Sequence, residues 1–184
     1  MKISKPHPKI TVYDDVFPWQ EQHHLYLACR NAPYVIGWND RVDSQEGYMH
    51  SEITPEMYEH LEQCDPTIQQ FVKILFSSEP YNSMKDRRLV NTVINCDTMS
   101  DTHYGHTHQP QEVLLYYANT EWKDGWGGET FFFDKNGKDI IFASGYTPNR
   151  IIHFDGEILH NFGGPKREGP KFRFSISTFF WKND

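Results

Sequence analysis

The feature that most restricts the fold is a series of short segments in the second half of the chain. They are rich in β-branched and aromatic residues and fall at 89–95, 112–118, 129–133, 139–143, 150–154 and 172–180. Asp124-Gly125, Gly127-Gly128, Asn136-Gly137, Asp155-Gly156 and Gly163-Gly164-Pro165 stand between them, and such pairs mark turns. In the last segment Phe172, Phe174, Ile176, Thr178 and Phe180 alternate with Arg173, Ser175, Ser177 and Phe179. That alternation predicts a half-buried strand with one polar face. Strands at this spacing predict a sandwich or barrel.

Before residue 88 the pattern is mixed and partly helical. Residues 19–31 are rich in helix formers, and 34–38 read as a short strand. A second helix is expected after Thr54-Pro55, running towards Leu75 in two pieces because Pro66 interrupts it. A chain of 184 residues is expected to be one domain, 1–184. Its class is mostly β with N-terminal helices (α+β). Residues 1–87 would be a mixed helical portion packed on a β-barrel core formed by 88–184.

Bulk properties narrow the function. The net charge is -7 with His neutral, and the one dense basic cluster is Lys166, Arg167, Lys171 and Arg173. This argues against a nucleic-acid partner, which wants a basic surface. No apolar run has membrane-spanning length, and the basic N-terminus leads into no apolar stretch. No membrane association and a cytoplasmic location are therefore expected. Cys29, Cys64 and Cys96 are odd in number and far apart, which predicts three reduced thiols rather than a disulfide framework or zinc motif.

The chemistry concentrates in Asp101-Thr102-His103-Tyr104-Gly105-His106-Thr107-His108, between two predicted strands. Residues i and i+2 of an extended chain face one side, so His106 and His108 can converge on one ion. Imidazole suits Fe, Zn, Cu and Ni, so residue type does not choose the metal. A solvated, His-rich loop is the plainer account of the same residues.

Further along stand Leu114-Leu115-Tyr116-Tyr117-Ala118-Asn119, Trp122, and Trp126-Gly127-Gly128-Glu129-Thr130. Pro148-Asn149-Arg150, His160 and Arg173-Phe174-Ser175-Ile176 follow in order. With His106-Thr107-His108, these motifs resemble the iron- and 2-oxoglutarate-dependent oxygenase superfamily, nearest its prolyl-4-hydroxylase-like branch, over residues 92–181. The resemblance implies a double-stranded β-helix, the jelly-roll or cupin-like barrel. It implies Fe(II) held by His106, His108 and His160, with 2-oxoglutarate and O₂ consumed and ascorbate as an optional reductant. The far carboxylate of 2-oxoglutarate would pair with Arg173 and Tyr116, with Arg150 and Arg167 as weaker alternatives to the Arg. The reaction implied is hydroxylation of a C–H bond of a peptide, protein or small molecule, a peptidyl proline included. Oligomeric state is left open.

One position departs from the family's pattern. The second ligand there is Asp, and this chain has His108. Four accounts stay open: a three-His site; a carboxylate from Asp101 or Glu112; a pair His103 and His106 with the register shifted; or a barrel that binds no iron and serves as a binding module. A three-His dioxygenase that does not use 2-oxoglutarate is the alternative enzyme. His108 is too large to leave a halide site. Glu129 is expected to hold its turn, His153 to be a packed core residue, and His7, His23, His24 and His50 to lie at the surface. The segment 34–50, with Trp38, Asn39, Asp40, Arg41 and Tyr48, reads either as a substrate-facing wall or lid or as a charged surface loop.

Overall fold

The computed structural model describes residues 1–38, 47–101 and 103–182. The chain starts with a hairpin, β1 (Lys2–His7) and β2 (Ile10–Asp14), then a helix, α1 (Trp19–Asn31), and a second hairpin, β3 (Val35–Trp38) and β4 (Tyr48–Ile53). Three helices follow: α2 (Pro55–Glu59), α3 (Pro66–Ser77) and α4 (Glu79–Asn82). The rest is β: β5 (Leu89–Asp97), β6 (Gln111–Tyr117), β7 (Thr130–Phe133), β8 (Ile140–Ser144), β9 (Ile151–Asp155), β10 (His160–Phe162) and β11 (Arg173–Trp181).

Local chemistry explains the helix boundaries. The Thr54 side chain accepts from Met57 N, with Pro55 in the first turn of α2. The Asp65 carboxylate accepts from Thr67 N at 2.8 Å, and Pro66 opens α3. Proline is welcome at a first helical position, where no N–H is needed. Pro66 therefore separates the two helical pieces by starting the second.

The strands form two antiparallel sheets. The larger has the order β1-β2-β9-β6-β11-β5-β4-β3, and the smaller β10-β7-β8. One face of the larger sheet presents Ile94, Leu114, Tyr116, Ile176 and Phe180 to the helices, against Leu25, Phe71, Leu75 and Tyr81. The opposite face presents Val93, Val113, Leu115, Tyr117 and Phe179 to the smaller sheet, against Phe132 and Ile158. The double-layered, mostly β architecture expected from the sequence is present, with few helices.

Two readings change. The portion before residue 88 is more than a helical cover, since β1 to β4 supply both edges of the larger sheet. Strand β1, Lys-Ile-Ser-Lys-Pro-His, is exposed along most of its length, so it carries no apolar alternation to read. Strand β11 is not half-solvated. It lies between β6 and β5, and both its faces are buried. Its polar face looks into the space between the sheets. No helix among the described residues is long and apolar enough to cross a membrane.

Candidate metal centre

Strand parity decides which side chains reach the space between the sheets. In β11 these are Arg173, Ser175, Ser177 and Phe179, opposite Asp97, Asn95, Val93 and Asn91 of β5. In β6 they are Tyr117, Leu115 and Val113. A cavity opens there, lined by Asn95, Asp97, Leu115, Thr130, Ser175 and Ser177, with His106, His108 and His160 along it. Tyr48, Phe162 and Phe179 complete its aromatic walls.

The three histidines come from two places. His106 and His108 lie in the approach to β6, and His160 begins β10. The main chains of His106 and His160 bond reciprocally, N to O at 3.0 and 3.1 Å, which locks the two segments together. One ring nitrogen from each of His106, His108 and His160 falls within 4.8 Å of the others. The Nε2 atoms of His106 and His108 are 3.1 Å apart. Two nitrogens each about 2.1 Å from one ion, at right angles across it, stand ~3 Å apart. The spacing therefore suits two ligands of one metal ion.

The supporting contacts agree. His106 Nδ1 lies 3.0 Å from the Tyr104 carbonyl, and His160 Nδ1 lies 2.8 Å from the Ile158 carbonyl. A carbonyl accepts, so in each ring Nδ1 carries the proton and Nε2 keeps its lone pair for a metal. Burial, with His106 alongside, pushes the His108 imidazole down to about 3. It is thus neutral and able to ligate at ordinary pH. The donor set fits a divalent transition metal with open positions opposite.

The competing accounts of the ligand set do not converge on this point. Glu112 has the opposite parity on β6, and its carboxylate is held by His153 at 2.7 Å and Arg87 at 3.0 Å. Asp101 accepts from Thr98 N at 2.5 Å, and groups with Asp97 and His103 instead. His103 is buried between Tyr48 and Phe162, with ring centroids 4.5 and 3.7 Å away. The alternative pair of His103 and His106 is therefore not formed at this centre.

Arg173 is fully buried and sits on the interior face as expected, but it is already engaged. Its Nη1 donates to Asp97 Oδ2 at 2.8 Å and Ser175 Oγ at 3.2 Å, and its Nε donates to the Gly128 carbonyl at 3.2 Å. The rings of Phe162, Tyr146 and Tyr117 stand 4.8, 5.1 and 5.5 Å from its guanidinium carbon. Burial pushes the Asp97 carboxyl up, and Arg173 and His103 pull it back. Gly128 has φ +81°, and a Cβ there would come within 2.9 Å of Trp122. Glycine lets the backbone turn and bring its carbonyl to Arg173.

Tyr116 is a correction. It faces the helices, edge-on to Phe17 at 5.3 Å, on the side of β6 away from Arg173. Its neighbour Tyr117 has the interior parity and donates to Thr130 Oγ1 at 2.8 Å. A one-residue step flips a side chain to the other face of a strand. Arg150 forks onto Asp14 at 2.6 and 3.1 Å, and Arg167 is exposed, so neither joins the centre. Glu129 engages through its main chain, its carbonyl accepting from Gly163 N. His153 is half-buried and paired with Glu112, while His23 and His24 are exposed and His7 and His50 partly so. Of the candidate wall, Tyr48 lines the cavity, while Asn39, Asp40 and Arg41 lie outside the described residues.

Sequence reasoning missed Asp97 and Tyr117. Asp97 shares parity with Val93 and Asn95, a signal that becomes readable only once the β5–β11 pairing is known.

A metal ion would thus be well provided for, whereas the far carboxylate of the 2-oxoglutarate that the resemblance implies would not. The charge that would bind it is spent on Asp97, and the cavity wall offers the Asp97 carboxylate in its place.

No family model matches the chain, and no curated protein matches it. Solved structures do. A prolyl hydroxylase from Trichoplax adhaerens, in complex with a hypoxia inducible factor oxygen degradation domain peptide fragment, is 14% identical with a TM-score of 0.69, over 94% of this chain and 83% of that one. A Pseudomonas putida prolyl-4-hydroxylase is 16% identical with a TM-score of 0.62, over 95% and 93%. A 2OG-Fe(II) oxygenase family oxidoreductase from Burkholderia pseudomallei is 11% identical with a TM-score of 0.63, over 96% and 86%. The chain shares the jelly-roll fold of prolyl hydroxylases and other 2OG-Fe(II) oxygenases, and carries a three-histidine group inside it.

Proposed function

We propose that the protein is an iron-dependent oxygenase that hydroxylates a C–H bond, with O₂ as oxidant and a 2-oxo acid as the co-reductant. The observation that carries this is the convergence of the His106, His108 and His160 ring nitrogens between the two sheets of an oxygenase fold. Iron, once bound, supplies the activation of O₂ and a chelation point for the ketoacid end. The balance is R–CO–COOH + O₂ + R′–H giving R–COOH + CO₂ + R′–OH.

The chain's own residues do the rest. His106 and His160 fix two ligand directions through their carbonyl-anchored rings. His108, neutral by burial, supplies the third. Val93, Leu115, Phe162 and Phe179 exclude water from the space beside them. A peptide is the substrate class we favour, proline included, because one similar structure holds a peptide fragment.

Anaerobic titration with Fe(II) and then a 2-oxo acid tests this reading. A visible metal-to-ligand charge-transfer band should appear, followed by O₂-dependent CO₂ release. Failure to bind Fe(II) defeats it. A second reading is favoured by His108 in place of a carboxylate and by the Asp97–Arg173 pair: a three-His dioxygenase that needs no 2-oxo acid. It is supported instead if substrate oxidation proceeds unchanged without any 2-oxo acid and after Arg173→Ala.

A further inference from the structure

Arg173 and Asp97 meet end-on. One guanidinium nitrogen, Nη1, holds one carboxylate oxygen, Oδ2. A forked pair would have used two atoms from each side. Here Arg173 Nη2 and Asp97 Oδ1 are both buried, and neither has a hydrogen-bond partner among the described residues. His103 Nε2 stands 3.7 Å from Oδ1, beyond hydrogen-bond range. Aromatic rings wall the guanidinium, and Asp97 itself lines the cavity beside the three histidines.

These two atoms define a demand. Nη2 needs an acceptor, and Oδ1 needs a donor. A buried polar atom left unmet is costly, so a ligand group reaching this end gains by satisfying both. A carboxylate can accept from Nη2 but turns lone pairs towards Oδ1. It also places a second negative charge beside a single guanidinium, out of water. A primary carboxamide offers a carbonyl oxygen to Nη2 and an N–H to Oδ1, with no charge.

We propose that Asp97 is the specificity-determining residue at the far end of the co-reductant site, and that it selects a 2-oxo acid ending in a neutral donor–acceptor group, a carboxamide in the simplest case, over the dicarboxylate 2-oxoglutarate. This deepens the proposed function and rests on it. Asp97 acts through electrostatics and hydrogen bonding at the end remote from the metal. Its role is discrimination between ligands that share one ketoacid end. Asp97→Asn removes the charge and keeps the shape, so it should open Arg173 to a carboxylate.

Anaerobic calorimetry on the Fe(II)-loaded protein tests the proposal through binding alone. The probes are 2-oxoglutarate, 2-oxoglutaramate (its terminal amide) and 2-oxopentanoate, which has no polar end. The native protein should bind the amide about 10-fold or more tighter than either other acid. Asp97→Asn should reverse the order in favour of 2-oxoglutarate. Native protein that binds 2-oxoglutarate as tightly as the amide overturns the proposal and leaves the oxygenase reading standing. So does equal binding of 2-oxopentanoate, because the far end would then make no selection. If Fe(II) binds and none of the three acids does, this proposal and the 2-oxo acid oxygenase reading both fall, and the dioxygenase that needs no 2-oxo acid stands. The comparison of ligands on native protein decides the matter even if the variant folds poorly.

Discussion

At the scale of single residues, charge separates this centre from one with a carboxylate ligand. Three neutral imidazoles would leave a bound divalent ion its full charge, whereas Asp would cancel part of it. Replacing His106, His108 or His160 by Ala should each weaken metal binding beyond the roughly 100-fold carried by outer contacts to a ligand. Calorimetric titration with Fe(II) or Co(II) reads this directly. His108→Asp should keep the metal, because a carboxylate oxygen ligates in the same position. Metal affinity unchanged by all three Ala variants would remove the centre. Asp97 obeys a different rule. Asp97→Ala leaves the Arg173 guanidinium buried with its charge uncompensated, an expected loss of about 3–5 kcal/mol in urea unfolding. Adding Arg173→Met should recover much of it. His106 and His108 could be paired from sequence because i and i+2 spacing is local, whereas His160 was expected only from the resemblance. The Arg173–Asp97 pair was not, because it depends on which strands lie side by side.

Within elements, the turn before β7 carries unusual weight. Gly127 and Gly128 both have positive φ, +79° and +81°. Gly128→Ala meets Trp122 and disfavoured backbone at once, so a loss of about 1–3 kcal/mol is expected. Since the Gly128 carbonyl holds Arg173 Nε, the variant should also perturb the acid-binding end, readable as a changed 2-oxo acid affinity at constant metal affinity. Strand parity shows where pattern reading stops. The alternation in β11 was plain, but alternation alone does not say whether the polar face meets water or a cavity. Tyr116 and Tyr117 differ by one position, and only the β6–β11 register separates them. Strand β10 has three residues, His-Asn-Phe, too few to show any period. The helices, by contrast, were announced by local chemistry, Thr54-Pro55 as a start and Pro66 as the break between two pieces.

At the scale of the molecule, the ends of the chain are joined by charge. The Asp155 carboxylate sits between Lys182 at 2.6 Å and Lys9 at 2.9 Å, and Glu157 contacts both lysines. Burial would raise the Asp155 carboxyl, but these lysines overcome it and hold it at about 2. A depressed carboxyl stabilises the fold fully above its unfolded value, near 4, and loses that contribution as pH falls towards 2. Urea midpoints should therefore drop between pH 4 and pH 2, and Asp155→Asn should flatten that part of the curve. The reciprocal main-chain bonds between His106 and His160 have their own bearing on motion. They tie a loop of the larger sheet to the edge of a three-stranded one, and a bound ion would span the same seam. Metal should then act as a clasp, slowing amide hydrogen exchange in β7, β8 and β10 more than in the β5–β11 centre.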